Sequence, residues 1–592
     1  MCGIVGLASS NEVNTKLANL INLKQSHRGP DDQGNLLSNC KRVSLEMSRL
    51  AILDIKHGHQ PMVLKKERLS IIFNGEIFNS KNLRNFLIKN FNEKFITSHS
   101  DTEVILRLYK HKNIDAFKEL NGMFSLIIFD ENKDQIIFAR DRFGIKPLLY
   151  KKINQSIVIA SELQAITNTH TNLEIDYASI KEYINFGFIS APKTIYQGIK
   201  KLPQGNFGVF SLKSGSLVIK RWPGSNIEKT NDNKLLTDDN INEKIKNTLI
   251  QSIDRWKQSD EDVCYSLSSG IDSTSIVTLA SKKQKISTFT VGFEKKYDQW
   301  NEFHTAKKIS DFLKTDHTEI RVNIESFEED VPKIISMFGE PYGGGLPSFN
   351  LFKAIKNKFK VIMTGIGGDE LFGNYLRIDR YNNHINNKET QILNWQKYFE
   401  IINLNSDRNF DVKLLKNNVF NYNQNENHIL FCDRILSKEN QICNIDFNTQ
   451  LPNDFLHMTD ILSMNHSVEA RTPFLDLEFV KLIMSIPINK RINSKNYKSL
   501  LINSIGNDFP NITEVVKKKC KMGFSLPLSI LMREIMRTKF EKVMHPRFFL
   551  KSNLFSPNFY EDIIQAFLKG DNRYIELVWR VFILQIWLEN GL

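Results

Sequence analysis

A polar stretch at residues 223–240 separates two parts of this chain that differ in their hydrophobic pattern. The stretch reads PGSNIEKTNDNKLLTDDN, and a polar segment with so few apolar residues is typical of a linker. Because the chain has 592 residues, it is too long to be served by one hydrophobic core. We therefore predict a first domain over residues 2–210, a linker over 211–240 and a second domain over 241–592.

Short apolar runs bounded by Gly, Asn and Asp recur before the linker, and each run is typical of a β-strand. These runs are Ile4–Leu7, Leu69–Phe73, Phe124–Phe129, Gln135–Ala139 and Ser156–Ala160. Two helical patterns interrupt the strands, at Ser80–Lys89 and Thr102–Tyr109. Strands in runs with few helices between them predict an α+β domain.

Helices and strands alternate after the linker, which predicts a parallel sheet covered by helices and hence an α/β domain. The pattern gives helices at Ile241–Trp256, Ser273–Lys282 and around Pro347–Lys358, and strands at Val263–Leu267, Lys285–Val291 and Lys360–Thr364. Two Gly-rich turns each follow the carboxyl end of a strand, where open α/β sheets bind ligands. Residues 376–455 are rich in Asn and Lys, have helical apolar spacing and carry no chemistry that we can assign.

Charge and cysteine content exclude several function classes. Lys and Arg outnumber Asp and Glu by 79 to 66, but no basic run concentrates this excess, so nucleic-acid binding is not favoured. Six cysteines without a CxxC pair exclude a zinc knuckle or a disulfide framework and favour a reducing cytoplasm. No secretory signal is expected at the N-terminus. The apolar segment from Tyr574 to Leu588 is interrupted by Glu576, Arg580 and Gln585, which predicts an amphipathic helix packed on a domain rather than a membrane span.

Cys2 is the first residue with distinctive chemistry. It follows the initiator Met, and a small residue at this position normally permits removal of that Met. The mature chain would then begin with a thiol beside its own α-amino group. Because an α-amine titrates at about 8, part of it is the free base at neutral pH and can accept the thiol proton. Cys2 would therefore combine a nucleophile and its base in one residue, unless it is simply an inert cysteine.

Seven segments of the first domain, in order, closely resemble the N-terminal-nucleophile glutaminase domain of class II glutamine amidotransferases. The segments are Cys2-Gly3-Ile4-Val5-Gly6, His27-Arg28-Gly29-Pro30-Asp31, Arg49-Leu50-Ala51-Ile52-Leu53-Asp54, Asn74-Gly75-Glu76-Ile77-Phe78-Asn79, Ser100-Asp101-Thr102-Glu103, Asn121-Gly122-Met123-Phe124 and Arg140-Asp141-Arg142-Phe143-Gly144-Ile145-Lys146-Pro147-Leu148. The resemblance implies an N-terminal-nucleophile hydrolase sandwich in which Cys2 attacks glutamine.

The same resemblance implies roles for the residues around the nucleophile. Arg49 would bind the glutamine carboxylate, for which a guanidinium offers bidentate geometry, and Glu76 and Asp101 would bind its ammonium group. The tetrahedral oxyanion needs preorganised donors, and the Asn74 side chain and the Gly75 N–H would supply them. The implied glutamine site comprises Arg49, Leu50, Ala51, Ile52, Leu53, Asn74, Gly75, Glu76 and Asp101.

The first Gly-rich turn of the second domain is Ser268-Ser269-Gly270-Ile271-Asp272-Ser273, between a strand and a helix. Backbone N–H groups at a helix N-terminus, supported by hydroxyls, form an anion site suited to a polyphosphate. The turn lacks the GKS/T of a Walker A loop. It resembles the pyrophosphate loop of the ATP-pyrophosphatase family, usually SGGxDS, although a plain Ser-rich turn is the alternative for the motif alone. Ser269 replaces the second glycine, so its Cβ must fit where none is usual.

The second turn, Thr364-Gly365-Ile366-Gly367-Gly368-Asp369-Glu370-Leu371-Phe372-Gly373, also follows a strand. Asp272 and Asp369 could share Mg²⁺, which favours one or two carboxylates plus phosphate oxygens. By resemblance, Lys498 aligns best with the family's pyrophosphate-contacting lysine; Lys495 is the alternative, and either lysine could instead be solvated. The implied ATP site comprises Leu267, Ser268, Ser269, Gly270, Ile271, Asp272, Ser273, Val291, Thr364, Gly365 and Lys498. The match continues through Ser467-Val468-Glu469-Ala470-Arg471-Thr472-Pro473-Phe474-Leu475-Asp476 and Lys521-Met522-Gly523-Phe524.

Both halves together resemble the glutamine-hydrolysing asparagine synthetase family over nearly the whole chain. The resemblance implies that ammonia from glutamine passes through an internal tunnel to the second domain. There ATP·Mg would adenylate the side-chain carboxylate of aspartate, and ammonia would attack the acyl-adenylate. Family members are often homodimers, so a homodimer is compatible with the resemblance, although the oligomeric state cannot be read from the sequence. Charge, cysteine content and hydropathy predict a cytoplasmic protein with no nucleic acid or membrane as partner.

Two departures from the family pattern leave the acceptor open. The usual text of the second turn is SGEGxDE, and Ile366 stands where that pattern has its first Glu. The acceptor region Gly339-Glu340-Pro341-Tyr342-Gly343-Gly344-Gly345-Leu346-Pro347 is also unusually rich in glycine. Another carboxylate, such as a sugar uronic acid of bacterial surface polysaccharide, is therefore an alternative to aspartate. A non-catalytic binding protein is disfavoured by the intact site residues, and a β-lactam-synthetase-like ligase by the presence of Cys2.

Overall fold

A computed structural model describes residues 2–170, 173–226, 238–373, 438–492, 498–506, 509–517 and 528–591. Within these ranges, the first part of the chain forms two antiparallel sheets of six strands each. The strands are β1 Cys2–Ser9, β2 Asp32–Leu37, β3 Val43–Arg49, β4 Met62–Leu64, β5 Leu69–Ile77, β6 Gly122–Asp130, β7 Gln135–Arg140, β8 Leu149–Ile153, β9 Ser156–Ala160, β10 Ile199–Lys201, β11 Asn206–Ser211 and β12 Leu217–Arg221. The first sheet has the order β10-β8-β9-β1-β3-β2 and the second β12-β11-β7-β6-β5-β4.

The two sheets pack face to face around β1. Successive side chains of a strand point to opposite faces. Ile4 and Ala8 accordingly lie in the apolar layer between the sheets, whereas Val5 and Leu7 face the other side of the first sheet. Antiparallel pairing of β1 with β3 places Cys2 opposite Arg49. The sandwich thus brings the N-terminal end of β1 beside the end of β3.

Helices cover the outer faces of the sandwich and complete the predicted α+β domain. The α-helices of this part are Thr15–Lys24, Ser80–Phe91, Asp101–Lys112, Leu163–Thr167 and Tyr177–Phe186. Side chains from the second and third of these pack on the second sheet, and those from the other three pack on the first sheet. β12 pairs with β11 at the edge of the second sheet, so the predicted domain boundary at residue 210 falls inside this strand pair.

The second part of the chain is built on a parallel sheet, as predicted. Its five strands within the described ranges are β13 Val263–Ser266, β14 Ser287–Phe293, β15 Asp316–Val322, β16 Val361–Met363 and β17 Glu469–Arg471, in the order β15-β14-β13-β16-β17. The α-helices are Asp238–Trp256, Ile271–Ser281, Phe303–Leu313, Phe327–Phe338, Leu346–Ile355, Gly368–Phe372, Lys438–Asn448, Leu456–Met464, Leu477–Ser485, Ile488–Arg491, Ser499–Gly506, Pro510–Lys517, Leu528–Ile530, Arg537–Val543, Pro546–Phe549, Pro557–Phe559, Gln565–Leu568 and Ile575–Gly591. Among the residues described, no helix combines the length and apolar character that a bilayer crossing requires.

The prediction that the C-terminal segment forms an amphipathic helix is wrong in one respect. The helix Ile575–Gly591 is buried on nearly every side, because it packs against Tyr177–Phe186 from the first part and Phe327–Phe338 from the second. Arg580, which interrupts its apolar pattern, donates from Nη1 to the Asn185 carbonyl oxygen at 2.6 Å. The apolar residues of this helix therefore contact the first part of the chain on one side and the second part on the other, so the helix joins the two parts.

Buried ion pairs also join the two parts. Arg28 is fully buried and donates from Nε to the Cys2 carbonyl oxygen at 3.1 Å. Its Nη1 lies 2.9 Å from Glu162 Oε1, and its Nη2 lies 2.7 Å from Asp460 Oδ2. Asp460, from the second part, also accepts from Lys146 Nζ at 3.2 Å. A buried charge is tolerated only when it is paired in this way, so the backbone of Cys2 is fixed by a network that spans both parts.

Candidate active site

Cys2 lies at the start of β1 with 3% of its surface exposed. Its backbone N donates to Asn74 Oδ1 at 3.0 Å, and Asn74 Nδ2 donates to Ser125 Oγ at 3.2 Å. An amide NH₂ carries two hydrogens, and the contact with Ser125 uses one of them. Sequence reasoning missed Ser125, because no motif connects β6 with the nucleophile.

Gly75 follows Asn74 in β5 at a position where no other residue fits. Its φ is +153°, and a Cβ there would lie 2.0 Å from the Met123 carbonyl oxygen of the neighbouring strand. The close approach of β5 and β6 therefore requires glycine. This geometry places the predicted oxyanion donors, the Asn74 amide and the Gly75 N–H, on adjacent residues next to Cys2.

The guanidinium of Arg49 is held by the loop that follows β3. Its Nη2 donates to the carbonyl oxygens of Leu53 and Asp54, each at 3.0 Å. Gly58 permits this arrangement, since a Cβ there would lie 2.3 Å from Arg49 Nη2. Sequence reasoning assigned no role to Gly58.

Asp54 fixes this loop to the segment that precedes Asp101. Its carboxylate accepts from the backbone N of His99 at 3.0 Å and of Ser100 at 3.1 Å. Although burial alone would raise it, hydrogen bonds from His99, Ser98 and His57 hold the pKa of Asp54 at about 2. One ionised carboxylate, that of Asp54, therefore holds the loop after Arg49 and the segment before Asp101 together.

Three buried carboxylates meet beside the nucleophile. Burial and the neighbouring Asp101 and Glu469 raise the pKa of Glu76 well above its ordinary value. Burial raises the pKa of Asp101 to about 6, although its hydrogen bond from the Ile77 backbone N, at 2.9 Å, opposes the shift. Arg471 partly compensates the cluster, with Nε 2.5 Å from Glu469 Oε1 and Nη2 3.9 Å from Glu76 Oε1. The cluster is electrostatically suited to a cationic ligand group.

These groups border one cleft that opens onto Cys2. It is lined by Cys2, Arg49, Leu50, Ile52, Leu53, Gly58, Gln60, Phe73, Gly75, Glu76, Ser100, Asp101 and Thr102. Asn74 lies behind the cleft and contacts the Cys2 backbone N. Ala51 was predicted to line this site, but its backbone faces the second part of the chain, where its carbonyl oxygen accepts from Lys360 Nζ at 3.3 Å.

The predicted phosphate loop lies between β13 and the helix Ile271–Ser281. Ser268 N donates to Ser273 Oγ at 3.0 Å, and Gly270 N donates to Ser268 Oγ at 3.1 Å. The loop is thus shaped by its own hydroxyl groups before the helix begins. Its first-turn backbone N–H groups give this end of the helix the partial positive charge that attracts anions.

Ser269 fits the loop because Glu302 receives its side chain. Ser269 Oγ donates to Glu302 Oε1 at 2.6 Å, and Ser269 N donates to Glu302 Oε2 at 3.1 Å. Ser269 is buried, so its additional Cβ is accommodated within the protein. Glu302 precedes the helix Phe303–Leu313, and no sequence signal linked it to the loop.

Lys498 brings the two Gly-rich turns together. It is buried, contacts Asp272 Oδ2 and lies 2.7 Å from Asp369 Oδ1 through its Nζ. A Cβ at Gly365 would lie 2.7 Å from Ser273 N, and one at Gly368 would lie 2.5 Å from Asp272 Oδ1, so the turns touch only because both are glycine. Lys495 and the segment Lys521–Phe524 lie outside the described residues.

The remaining residues of the predicted ATP site lie on or just past three neighbouring strands, β14, β13 and β16. Leu267 lies just past β13, and its N donates to the Phe289 carbonyl oxygen at 2.8 Å. Val291 belongs to the apolar cluster on the opposite face of the sheet. The Thr364 backbone N donates to the Arg471 carbonyl oxygen at 2.8 Å. The described part of the chain contains no group of three or more His, Cys, Asp or Glu side chains placed to hold a metal ion.

Two family models match the chain, one on each side of the polar stretch. A glutamine amidotransferase domain matches residues 1–222, and the asparagine synthase family matches residues 244–589. The second match spans more than half of the chain. The cleft at Cys2 therefore lies within the first match, and the contact of Lys498 with both Gly-rich turns lies within the second.

Curated relatives cover both parts. A Bacillus subtilis protein named asparagine synthetase (glutamine-hydrolyzing) 1 is 26% identical over 99% of this chain and 96% of its own length. Asparagine synthetase (glutamine-hydrolyzing) 3 of the same organism is 27% identical over 86% of this chain and 85% of its own length. A Methanocaldococcus jannaschii protein named putative asparagine synthetase (glutamine-hydrolyzing) 2 is 32% identical over 64% of this chain and 76% of its own length. This chain belongs to the asparagine synthase family and carries a glutamine amidotransferase domain at its N-terminal side.

Proposed function

We propose that this protein is a glutamine-hydrolysing asparagine synthetase. The first domain releases ammonia from glutamine at Cys2, and the second uses ATP to activate the side-chain carboxylate of aspartate for attack by that ammonia. The observation that carries the proposal is the presence of both sites in one chain, a nucleophile cleft and a lysine-bridged pair of turns. The relatives that cover most of the chain support the same activity.

Glutamine hydrolysis follows from the surroundings of Cys2. After removal of Met, the Cys2 N becomes an α-amine oriented by Asn74 Oδ1, 3.0 Å away. Burial raises the pKa of the thiol, so it stays protonated until the amine takes its proton as Sγ attacks the glutamine amide carbon. The Asn74 Nδ2 hydrogen not used by Ser125 and the Gly75 N–H would stabilise the oxyanion. The amine then returns the proton to the departing ammonia, and water hydrolyses the thioester.

The remaining groups of the cleft suit the amino acid head of glutamine. Arg49 presents a guanidinium for the carboxylate, while Glu76 and Asp101 present negative charge for the ammonium. Leu50, Ile52 and Leu53 form the wall between these charged ends. Binding would replace electrostatic repulsion between buried carboxylates by ion pairs with the substrate.

Glutamine binding is expected to weaken as the pH falls toward 6. A raised pKa favours the protonated form, so Asp101 loses its charge below about 6 in the free protein. Burial and the neighbouring carboxylates raise the pKa of Glu76 as well, which favours its neutral form. Both must be ionised to hold the ammonium, so KM for glutamine should fall as the pH rises through this range. We would measure KM between about pH 5.5 and 8.5. A KM that does not vary with pH in the wild type, or one that varies equally in Asp101→Asn, contradicts this assignment.

The second site suits ATP and its pyrophosphate product. The phosphate loop and the N-terminus of the helix Ile271–Ser281 offer backbone donors to the phosphates, and Lys498 adds a positive charge beside them. Oxygens of Asp272 and Asp369 already converge on one cation, the Lys498 ammonium, and two such carboxylates fit Mg²⁺. Mg²⁺ bound with ATP would neutralise charge on the phosphates.

The activation step makes an unreactive carboxylate susceptible to ammonia. An aspartate carboxylate oxygen attacks the α-phosphorus of ATP, pyrophosphate leaves, and the resulting acyl-adenylate loses AMP when ammonia adds. Ammonia would reach this site through an internal tunnel. The two sites adjoin at Arg471, whose Nη2 lies 3.9 Å from Glu76 Oε1 and whose carbonyl oxygen accepts from Thr364 N.

Ile366 leaves a second candidate acceptor open, a sugar uronic acid. An isoleucine cannot accept a proton or attract ammonia by charge, and its half-buried side chain packs against the apolar cluster on that face of the sheet. Pyrophosphate release from ATP, measured with aspartate and with uronic acids in parallel, decides between the two. We expect stimulation by aspartate alone. Stimulation by a uronic acid alone would reassign the acceptor, and no stimulation by any carboxylate in an intact protein would favour a binding protein.

A further inference from the structure

Lys360, from the second part of the chain, contacts the loop that lines the glutamine cleft. Its Nζ donates to the Ala51 carbonyl oxygen at 3.3 Å and to Asp31 Oδ2 at 2.9 Å. The same Asp31 oxygen accepts from Ala51 N at 2.9 Å. A third contact joins Lys360 Nζ to Glu261 Oε1 at 2.8 Å. Both backbone polar groups of Ala51 are therefore held by a charged cluster that Lys360 completes.

The neighbouring residues of the loop are held by the same part of the chain. The Asp260 backbone N donates to the Ile52 carbonyl oxygen at 2.9 Å. Leu50 and Ile52 are buried in an apolar cluster with Val361, the residue after Lys360. The loop of Leu50, Ile52 and Leu53 therefore lines the cleft on one side and packs against the N-terminal ends of β13 and β16 on the other.

We propose that Lys360 is a positioning residue for the glutamine site, so that the second domain completes a pocket whose chemistry belongs to the first. The inference rests on the proposed glutaminase function. Lys360 touches no residue of the reacting centre and acts through Ala51. It fixes the loop between Arg49 and Asp54, and thereby the spacing between the arginine and the apolar wall.

The charges around Lys360 explain why a neutral side chain would not replace it. Asp31 and Glu261 both lie within 3 Å of its ammonium, and the three side chains are each about one-third exposed. Without the cation, the two carboxylates would repel each other across the loop, and the Ala51 carbonyl oxygen would lose a charged donor. The loop would then be free to leave the conformation that the cleft requires.

Lys360→Met removes the charge and keeps the aliphatic stem. We expect KM for glutamine to rise about three- to tenfold, the range of one lost charged hydrogen bond at a partly exposed site. The turnover number for glutamine hydrolysis should stay within about twofold, and ammonia-dependent pyrophosphate release should be unchanged. Lys360→Arg, which can restore the contacts, should return KM close to the wild-type value.

Lys353→Met is the matched control. Lys353 lies in the helix Leu346–Ile355 of the same domain, is 54% exposed and has no contact with the cleft loop. The Lys353→Met protein should therefore have the wild-type KM for glutamine. An unchanged KM in Lys360→Met, or a high KM that Lys360→Arg does not restore, overturns the proposal. If Lys360→Met does not fold, Glu261→Gln should still raise KM by a smaller factor, and an unchanged value there also overturns it. A wild-type protein without glutaminase activity would instead refute the proposed function.

Discussion

Replacing Cys2 by alanine is expected to abolish glutamine-dependent product formation and to leave the ammonia-dependent reaction intact. The thiol is the nucleophile, and a methyl group cannot form the thioester. The oxyanion donors and the binding groups remain, but without a nucleophile they give only slow residual hydrolysis. We expect a loss of at least about a thousandfold, as for other enzymes that lose a covalent nucleophile.

The measurement uses two nitrogen sources with one enzyme preparation. Product formation with glutamine should disappear, whereas product formation with an ammonium salt should match the wild type. Cys40→Ala is the control, because Cys40 is exposed and remote from the cleft. Equal losses with both nitrogen sources would mean that the substitution damages the fold, and full activity with glutamine would show that Cys2 is not the nucleophile.

Replacing Lys498 by methionine is expected to give the complementary result. Its ammonium lies between Asp272 and Asp369, beside the loop that would hold the phosphates. Loss of one such positive charge typically slows a reaction that develops charge about 100- to 1000-fold. Pyrophosphate release should fall by this amount, while glutamine hydrolysis in the first domain should stay near the wild-type rate.

Lys481→Met serves as the control for this experiment. Lys481 is a half-exposed lysine in the same part of the chain, 3.1 Å from Glu478, and its removal should change neither activity. Because Lys498→Met leaves two carboxylates facing each other, its thermal stability must be measured alongside. Normal pyrophosphate release in a folded Lys498→Met protein would contradict the proposed role. Loss of glutamine hydrolysis as well would indicate general damage.

The parts of the fold and site that the sequence predicts are those encoded by local patterns. Strand periodicity placed β1, β5, β6, β7 and β9, and the strand–turn–helix pattern placed both Gly-rich turns. Asn74, Gly75 and Glu76 are adjacent in one strand, so their proximity needs no tertiary information. The resemblance singled out Lys498, and the structure places this lysine between the two Gly-rich turns. Its role in binding pyrophosphate stays a prediction.

The residues that sequence reasoning missed act across long sequence separations. Ser125 reaches Asn74 across a strand pair, Glu302 reaches Ser269 from a later helix, and Lys360 reaches Ala51 from the other domain. Each is a common polar residue in an unremarkable local context, so only the fold reveals its partner. The helix Ile575–Gly591 was misjudged for the same reason, since a pattern with polar interruptions does not disclose that protein lies on both sides.

The contacts at the N-terminal ends of β13 and β16 limit how this protein can be recombined with its relatives. Each strand starts against the loop around Ile52 and, three or four residues later, passes into a Gly-rich turn. A chimera that joins the first domain of one relative to the second domain of another would pair mismatched surfaces at this junction. We expect such hybrids to retain both activities only when the segments around Asp31, Ala51, Glu261 and Lys360 are taken from a single parent.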